Sequence, residues 1–144
     1  MFLGQYNHTL DTKGRLTLPA RFRERLAQGI VVTRGLDGCL FVFTNDIWEQ
    51  FTAILGKELP FTQKSARAFS RFFFSGASDV VPDRQGRILI PSFLRRYANL
   101  HEEVMIVGAN TRIELWDAKR WQDTLLDVES NAEQIAEQFG NITF

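Results

Sequence analysis

The chain has 144 residues, of which 44% are apolar and 24% charged, and its 17 basic and 17 acidic side chains leave no formal net charge. This length fits one domain, or two very small ones, that buries its core without a metal or disulfide. A single cysteine, Cys39, excludes an internal disulfide and any multi-cysteine zinc site. We expect Cys39 to be a buried thiol, and we expect no metal and no cofactor.

The N-terminus has neither the basic region nor the apolar core of a signal peptide. No stretch approaches the ~20 apolar residues of a membrane span. We therefore expect a cytoplasmic protein without a membrane partner.

Charge is distributed unevenly along the chain. Residues 11–26 hold five basic and two acidic side chains, and residues 83–97 hold four and one. Residues 114–139 hold seven acidic side chains and two basic ones. The total charge favours no class of partner, but these segments predict two basic surfaces and one acidic end.

The sequence contains an internal repeat. The run DTKGRLTLP, from Asp11 to Pro19, returns 72 residues later as DRQGRILIP, from Asp83 to Pro91. Further along, Trp48 corresponds to Trp121 at an offset of 73. Two copies are too few for a solenoid, so the repeat favours a closed barrel or a pseudo-twofold domain.

Each copy predicts the same order of elements. An Asp-x-x-Gly turn leads into a short strand, and the proline after it allows a short basic helix to begin. Strands at 30–33 and 40–43 in the first copy match 104–107 and 113–116 in the second. The apolar run 88–90 predicts that the strand of the second copy is more buried than its counterpart at 15–18, where apolar and polar residues alternate. Thr44 and Asp117 are candidate N-caps for closing helices, the first of which should end at Gly56.

Two segments lie outside the repeat. In residues 61–76, Phe69, Phe72 and Phe73 have helical spacing and predict a core or subunit contact, while the cations on another face predict a solvated surface. Near the C-terminus, Ser130-x-x-Glu133 is a capping-box pattern that predicts the start of a helix.

Four residues of the two turns are the main candidates for function. Arg15 and Arg87 could each contact a phosphate or a guanine edge, for which a planar guanidinium is suited. Alternatively, each pairs with its own aspartate, Asp11 or Asp83, and only stabilises the turn. Both readings can hold together, because the carboxylate can orient the guanidinium.

The remaining cations have weaker claims. Lys13 and Arg84 at the turn tips are either phosphate contacts or ordinary solvated turn residues. The arginines of the short helices (Arg21, Arg23, Arg25, Arg95 and Arg96) are better explained as a charged solvent face.

No enzyme motif is present. The chain has no Walker, GxGxxG, HExxH or GxSxG sequence, and neither histidine has a nucleophile near it in sequence. We therefore expect a protein that is not an enzyme and has no small-molecule substrate.

Several segments of this sequence resemble those of the MraZ family of bacterial proteins. The resemblance rests on the N-terminal MF-x-G, the run from Leu10 to Arg23, the FFFSGA segment at 72–77, the DRQGRILIP run and the segments 104–108 and 113–117. It covers about residues 1–125 and leaves the tail beyond Asp127 without a recognised pattern.

The resemblance implies an α+β fold of two tandem SpoVT-AbrB-like half-barrels, which form a pseudo-twofold swapped-hairpin β-barrel with flanking helices. On this reading, residues 5–47 and 76–119 are the repeats, 48–75 is a connecting helical segment and 120–144 is a helical tail.

The resemblance also implies a function. Members bind double-stranded DNA as closed rings and regulate the division and cell-wall gene cluster, which places the protein on the nucleoid. The implied DNA-binding residues here are Asp11, Lys13, Arg15, Asp83, Arg84 and Arg87. The alternative function is a non-catalytic assembly or protein-binding barrel whose Asp-x-x-x-Arg turns are structural.

Overall fold

The computed structural model describes residues 1–142 and has an α+β architecture with eight strands and five helices in that range. The strands are β1 (Gln5–Thr9), β2 (Arg15–Thr17), β3 (Ile30–Arg34), β4 (Leu40–Thr44), β5 (Ser78–Val80), β6 (Arg87–Leu89), β7 (Glu103–Ala109) and β8 (Arg112–Asp117). The helices are α1 (Ala20–Leu26), α2 (Asn45–Glu58), α3 (Lys64–Ser75), α4 (Ser92–Tyr97) and α5 (Ala118–Glu137). None of these helices is both long enough and apolar enough to span a lipid bilayer.

Six strands form one antiparallel sheet in the order β1-β7-β8-β4-β3-β5, and β2 pairs with β6 in a separate two-stranded sheet. Exchanging the two repeats maps β1 onto β5, β3 onto β7 and β4 onto β8, which returns the same sheet order reversed. The pairing therefore has the pseudo-twofold symmetry that the repeated sequence predicts. Each repeat gives its first strand to the third strand of the other repeat.

The predicted closed swapped-hairpin barrel is not confirmed. The outer strands β1 and β5 do not pair with each other, so the six-stranded sheet is open. Among residues 1–142, a single bridge connects Leu10, the residue after β1, to Leu16 in the middle of β2. The predicted segment boundaries, 5–47, 48–75, 76–119 and 120–144, stay predictions.

The core has two parts, one on each face of the larger sheet. On one face, alternate strand residues such as Val32 and Val42 pack with Leu16, Ile88 and the short helices α1 and α4. On the other face, Phe41 and Phe43 pack with helices α2 and α3. The central strand β4 is therefore buried along its whole length.

The phenylalanine cluster of α3 belongs to the second part of the core. Phe73 is buried and stacks on Trp48 of α2 with 5.4 Å between the ring centroids. Phe69 and Phe72 are partly buried against the same cluster. Cys39 is buried as expected, its Sγ lies 3.2 Å from the Leu36 carbonyl oxygen, and burial raises the pKa of its thiol far above the ordinary value.

Three local predictions were wrong. Leu89 is 55% exposed, because burial alternates along β6 as it does along β2: Ile88 and Ile90, the residue after the strand, are buried and Leu89 between them is not. Helix α2 continues past Gly56 to Glu58. Helix α5 is continuous from Ala118, so Ser130 lies inside it and its hydroxyl donates to the Asp127 carbonyl oxygen rather than capping a new helix.

Of the two predicted N-caps, only Asp117 makes a capping hydrogen bond. The side chain of Asp117 accepts a hydrogen bond from the Arg120 amide at 3.1 Å and caps α5. Thr44 precedes α2 but makes no side-chain capping bond.

The alternation in β6 predicts a large difference in stability between neighbouring substitutions. Ile88→Ala removes a buried side chain from the core and should lower the free energy of unfolding by about 2–5 kcal/mol. Leu89→Ala, as the matched control, should change it by less than about 1 kcal/mol. Urea denaturation followed by circular dichroism measures both, and equal losses would contradict the observed strand register.

Candidate functional site

The two Asp-x-x-x-Arg turns have nearly identical geometry. In the first, Asp11 Oδ1 accepts hydrogen bonds from the amides of Lys13 and Arg15 at 2.9 and 2.8 Å. Its Oδ2 accepts from Arg15 Nε at 2.7 Å. A short aspartate side chain that binds the backbone ahead of it is the standard means of closing a tight turn.

The second turn repeats these contacts. Asp83 Oδ1 accepts from the amides of Gln85 and Arg87, both at 2.9 Å, and Oδ2 accepts from Arg87 Nε at 2.8 Å. Each turn closes on a glycine with positive φ, +82° at Gly14 and +74° at Gly86, a conformation that a side chain would strain.

These hydrogen bonds keep both carboxylates ionised. The Arg15 amide, helped by the Arg15 guanidinium and the Lys13 amide, holds the pKa of Asp11 below its ordinary value of 3.8. The Arg87 amide, followed by the Arg87 side chain and the Gln85 amide, lowers the pKa of Asp83 in the same way. An ionised carboxylate is a poor general acid but a good fixed partner for a guanidinium.

Each carboxylate binds its arginine through Nε alone. Within residues 1–142, the terminal amino groups of Arg15 and Arg87 make no hydrogen bond to the protein. The two arginine side chains are 34% and 28% exposed, so both reach the surface. The hydrogen bond through Nε fixes the orientation of each side chain, and it leaves the terminal amino groups available to an acceptor outside the chain.

Pairing between β2 and β6 brings the two arginines onto one face. Leu16 lies opposite Ile88, and both side chains enter the core. Arg15 lies opposite Leu89 and Thr17 opposite Arg87, so the arginines are diagonal neighbours, with Cα atoms ~7–8 Å apart. The sequence placed these residues 72 positions apart, and the strand pairing unites them.

Arg23 and Arg95 contribute to the same region, although the sequence favoured a solvent face for them. Arg23 Nε donates to the Leu18 carbonyl oxygen and Arg95 Nε to the Ile90 carbonyl oxygen, both at 3.0 Å. A Cβ at Gly14 would come within 2.8 Å of Arg95 Cζ, and one at Gly86 within 2.6 Å of Arg23 Nε. The helix arginine of each repeat therefore packs against the turn of the other. Their matching positions in the two copies were the one signal in the sequence.

The tips of the two turns differ. Lys13 is the third residue of its turn and corresponds to Gln85, whereas Arg84 is the second and corresponds to Thr12. Both cations are exposed. The region of the two turns and the β2–β6 pair that joins them is here called the twin-turn surface, and it contains the six predicted residues, four cations and two carboxylates: Asp11, Lys13, Arg15, Asp83, Arg84 and Arg87.

The twin-turn surface has no set of metal ligands. Within the described range, no three His, Cys, Asp or Glu side chains are grouped to hold a metal ion. What the arrangement offers chemically is a set of guanidinium donors in fixed orientation, which suits phosphate oxygens and the acceptor edge of guanine.

The lowered carboxyl pKa values predict that Asp11→Asn and Asp83→Asn together destabilise the protein most at neutral pH. The wild-type carboxylates contribute stability above their unfolded pKa and lose it as pH falls through the lowered folded pKa. Denaturation midpoints measured down through ~pH 5 to 2 should therefore converge for the two proteins. A constant difference across that range would contradict the ion pairs.

Comparison with known proteins bears on the internal repeat. A family model described as "MraZ protein, putative antitoxin-like" matches the chain twice, over residues 1–72 and 73–141. The second match begins 72 residues after the first, which is the offset of the repeated turns. The predicted internal repeat is thereby confirmed.

Several curated proteins named "Transcriptional regulator MraZ" are similar over nearly the full chain. The protein from Moorella thermoacetica is 51% identical over 138 residues, which is 96% of each chain. That from Acetivibrio thermocellus is 49% identical over 138 residues, again 96% of each chain. That from Desulforamulus reducens is 50% identical over 137 residues, 95% of this chain and 96% of the other. These matches, with the two consecutive matches to the family model, show that the chain belongs to the MraZ family.

Proposed function

We propose that the protein is a DNA-binding transcriptional regulator whose twin-turn surface contacts double-stranded DNA. The observation that carries the proposal is the diagonal placement of Arg15 and Arg87 on one exposed face, each held by a carboxylate through Nε. The names of the relatives, which describe transcriptional regulators and not enzymes, support the same role.

On the twin-turn surface, the residues have different tasks. Arg15 and Arg87 read base edges or bind phosphates, with Asp11 and Asp83 fixing their direction. Lys13 and Arg84 bind phosphates, which sets the position of the protein without reading sequence. Arg23 and Arg95 hold each turn against the opposite repeat.

A single copy would bind DNA weakly, because neutralising about 3 phosphates provides little affinity at physiological salt. A closed ring of identical copies solves this problem, since joining the copies makes later contacts intramolecular and raises avidity by ~10²–10⁴. We therefore infer a ring that binds repeated boxes in the promoter of the division and cell-wall cluster, in the cytoplasm and on the nucleoid.

The competing function is assembly or protein binding, with purely structural turns. The Asp11–Arg15 and Asp83–Arg87 ion pairs favour it to the extent that they stabilise each turn without any ligand. The two functions differ in what the arginines do to DNA affinity, which a direct measurement decides.

Replacing both arginines should abolish tight promoter binding. Arg15→Ala with Arg87→Ala removes donors worth about 1–3 kcal/mol each and should weaken binding at least about thirtyfold, with a shallower dependence on salt. Gel shifts and fluorescence anisotropy across a salt series measure both effects.

The matched control is Lys57→Ala with Lys119→Ala, which removes two positive charges from α2 and α5 on the other face of the larger sheet. It should leave affinity nearly unchanged. An arginine variant that keeps its fold and its particle mass yet binds the promoter normally would favour the assembly function.

Identical turns around a ring also predict the layout of the DNA. Boxes should recur about every 10 bp, so that successive turn pairs meet the same side of the helix. Inserting ~5 bp between two boxes should lower affinity far more than inserting ~10 bp. Footprinting that found a single isolated site, with no effect of spacing, would count against the ring.

A further inference from the structure

The C-terminal half of α5 extends from the body without a partner. At its start, Trp121 packs against Trp116 with 5.5 Å between the ring centroids, and its Nε1 donates to Gln5 Oε1 at 2.7 Å. From residue 126 to 142, every residue except Asn131 is exposed. A helix of 20 residues is ~30 Å long, so its second half extends well beyond these contacts.

This exposed half is amphipathic. At 100° per residue, Val128, Ala132, Ile135 and Ala136 fall within about 100° of one another, on the same side as Trp121, and Phe139 follows in the turn after the helix. Ile135 is 38% exposed and Phe139 57% exposed. A helix of this length is only marginally stable in water unless an apolar face packs against another surface. We therefore expect the apolar stripe to have a binding partner.

The same segment carries a row of acidic side chains. Glu129, Glu133 and Glu137 are four residues apart and lie along one line beside the apolar stripe. No lysine or arginine occurs after Arg120. The partner should therefore offer an apolar surface bordered by positive charge.

A groove between α2 and α3 has that character. Its volume is about 290 Å³, and no residue of α5 lines it. Leu55, Leu59, Phe61 and Phe74 provide apolar walls, with Phe61 82% exposed and Phe74 39% exposed.

A row of cations borders the groove along α3. Lys64, Arg67 and Arg71 share one face of the helix, and none of them forms an ion pair within residues 1–142. The backbone carbonyl oxygen of Phe61 accepts a hydrogen bond from Arg67 Nη1 at 3.0 Å, which holds this side chain at the groove.

Gly56 lies in the groove and inside α2, where glycine is a poor helix former. A Cβ at this position would meet no atom within 4 Å, so packing within the chain does not require a glycine there. A second helix lying in the groove would require it, because only glycine allows the closest approach of two backbones.

We propose that the C-terminal helix of one copy of this chain docks in the α2–α3 groove of a second copy. Val128, Ile135 and Phe139 enter the apolar groove, and the row Glu129, Glu133 and Glu137 faces the row Lys64, Arg67 and Arg71. The two complementary surfaces are different parts of the chain, so the contact is heterologous, the kind that closes into rings. This inference rests on the proposed function in one respect: it assigns the contact between subunits of the ring that the proposed function includes.

Charge reversal tests the two surfaces separately. A tail variant, Glu133→Lys with Glu137→Lys, and a groove variant, Lys64→Glu with Arg71→Glu, should each weaken self-association at least about tenfold and reduce the particle toward the monomer mass of 16.6 kDa. Mixed in equal amounts, the two variants should recover the large particle, because each tail again meets a groove of opposite charge. Sedimentation velocity without DNA gives the masses.

Apolar variants test the same contact by other means. Ile135→Ser with Phe139→Ser should dissociate the particle, as should Gly56→Leu, which fills the groove while favouring the helix. The matched control, Gln134→Ser, lies about 140° around the helix from Phe139 and should keep the wild-type mass. The substituted side chains are exposed, and a side chain at position 56 would meet no atom of the chain within 4 Å. The variants should therefore keep the fold of the monomer, and their thermal unfolding should stay cooperative.

Three outcomes would overturn the inference: a monomeric wild-type protein, a tail or groove variant that keeps the full particle mass, or mixed variants that fail to reassemble. None of these outcomes measures DNA affinity, which the Arg15 and Arg87 variants test. An assembled wild type with unaffected tail variants would place the subunit contact elsewhere and leave the ring and the twin-turn surface as proposed.

Discussion

The pairing of β2 with β6 is the interaction on which the rest of the structure depends. It places Leu16 and Ile88 opposite each other in the core, and it places Arg15 and Arg87 on the outer face. A slip of one residue in this register would send the arginines inward and the apolar side chains out. The hydrophobic effect that fixes the register therefore also fixes where the candidate DNA-contacting groups lie.

The Asp–Arg turn joins stability and function in one set of atoms. Asp11 satisfies two backbone amides and the Nε of Arg15, which leaves the far side of the guanidinium with hydrogen-bonding capacity. An arginine fixed in this way loses less conformational entropy on binding than a mobile one. The structural and functional interpretations of the motif are thus complementary. The Nε of the arginine stabilises the turn, and the terminal amino groups can bind a ligand.

A net charge of zero conceals a separation of charge over the molecule. Cations gather on the twin-turn surface and along α3, and carboxylates gather on α5. Such an arrangement allows a protein to attract a polyanion at one surface and a copy of itself at others without a large overall charge to repel assembly.

The sequence by itself determined the repeat, the tight turns and the identity of the paired aspartates and arginines, because these depend on local geometry. Asp-x-x-Gly specifies a turn wherever it occurs, and the offset of 72 residues predicted a pseudo-twofold pairing. Period-two alternation in residues 15–18 groups Leu16 and Leu18 on one face of the strand, and in the structure both side chains are buried.

Only the tertiary structure decided the features that depend on contacts distant in sequence. Leu89 is exposed because its strand has a partner on one side and solvent on its outer face, which three consecutive apolar residues could not reveal. Arg95 packs on Gly14 of the other repeat, and the large sheet is open because its two edge strands, β1 and β5, do not pair with each other. Local propensity acts over a few residues, whereas strand exchange and helix packing are settled by burial over the whole chain.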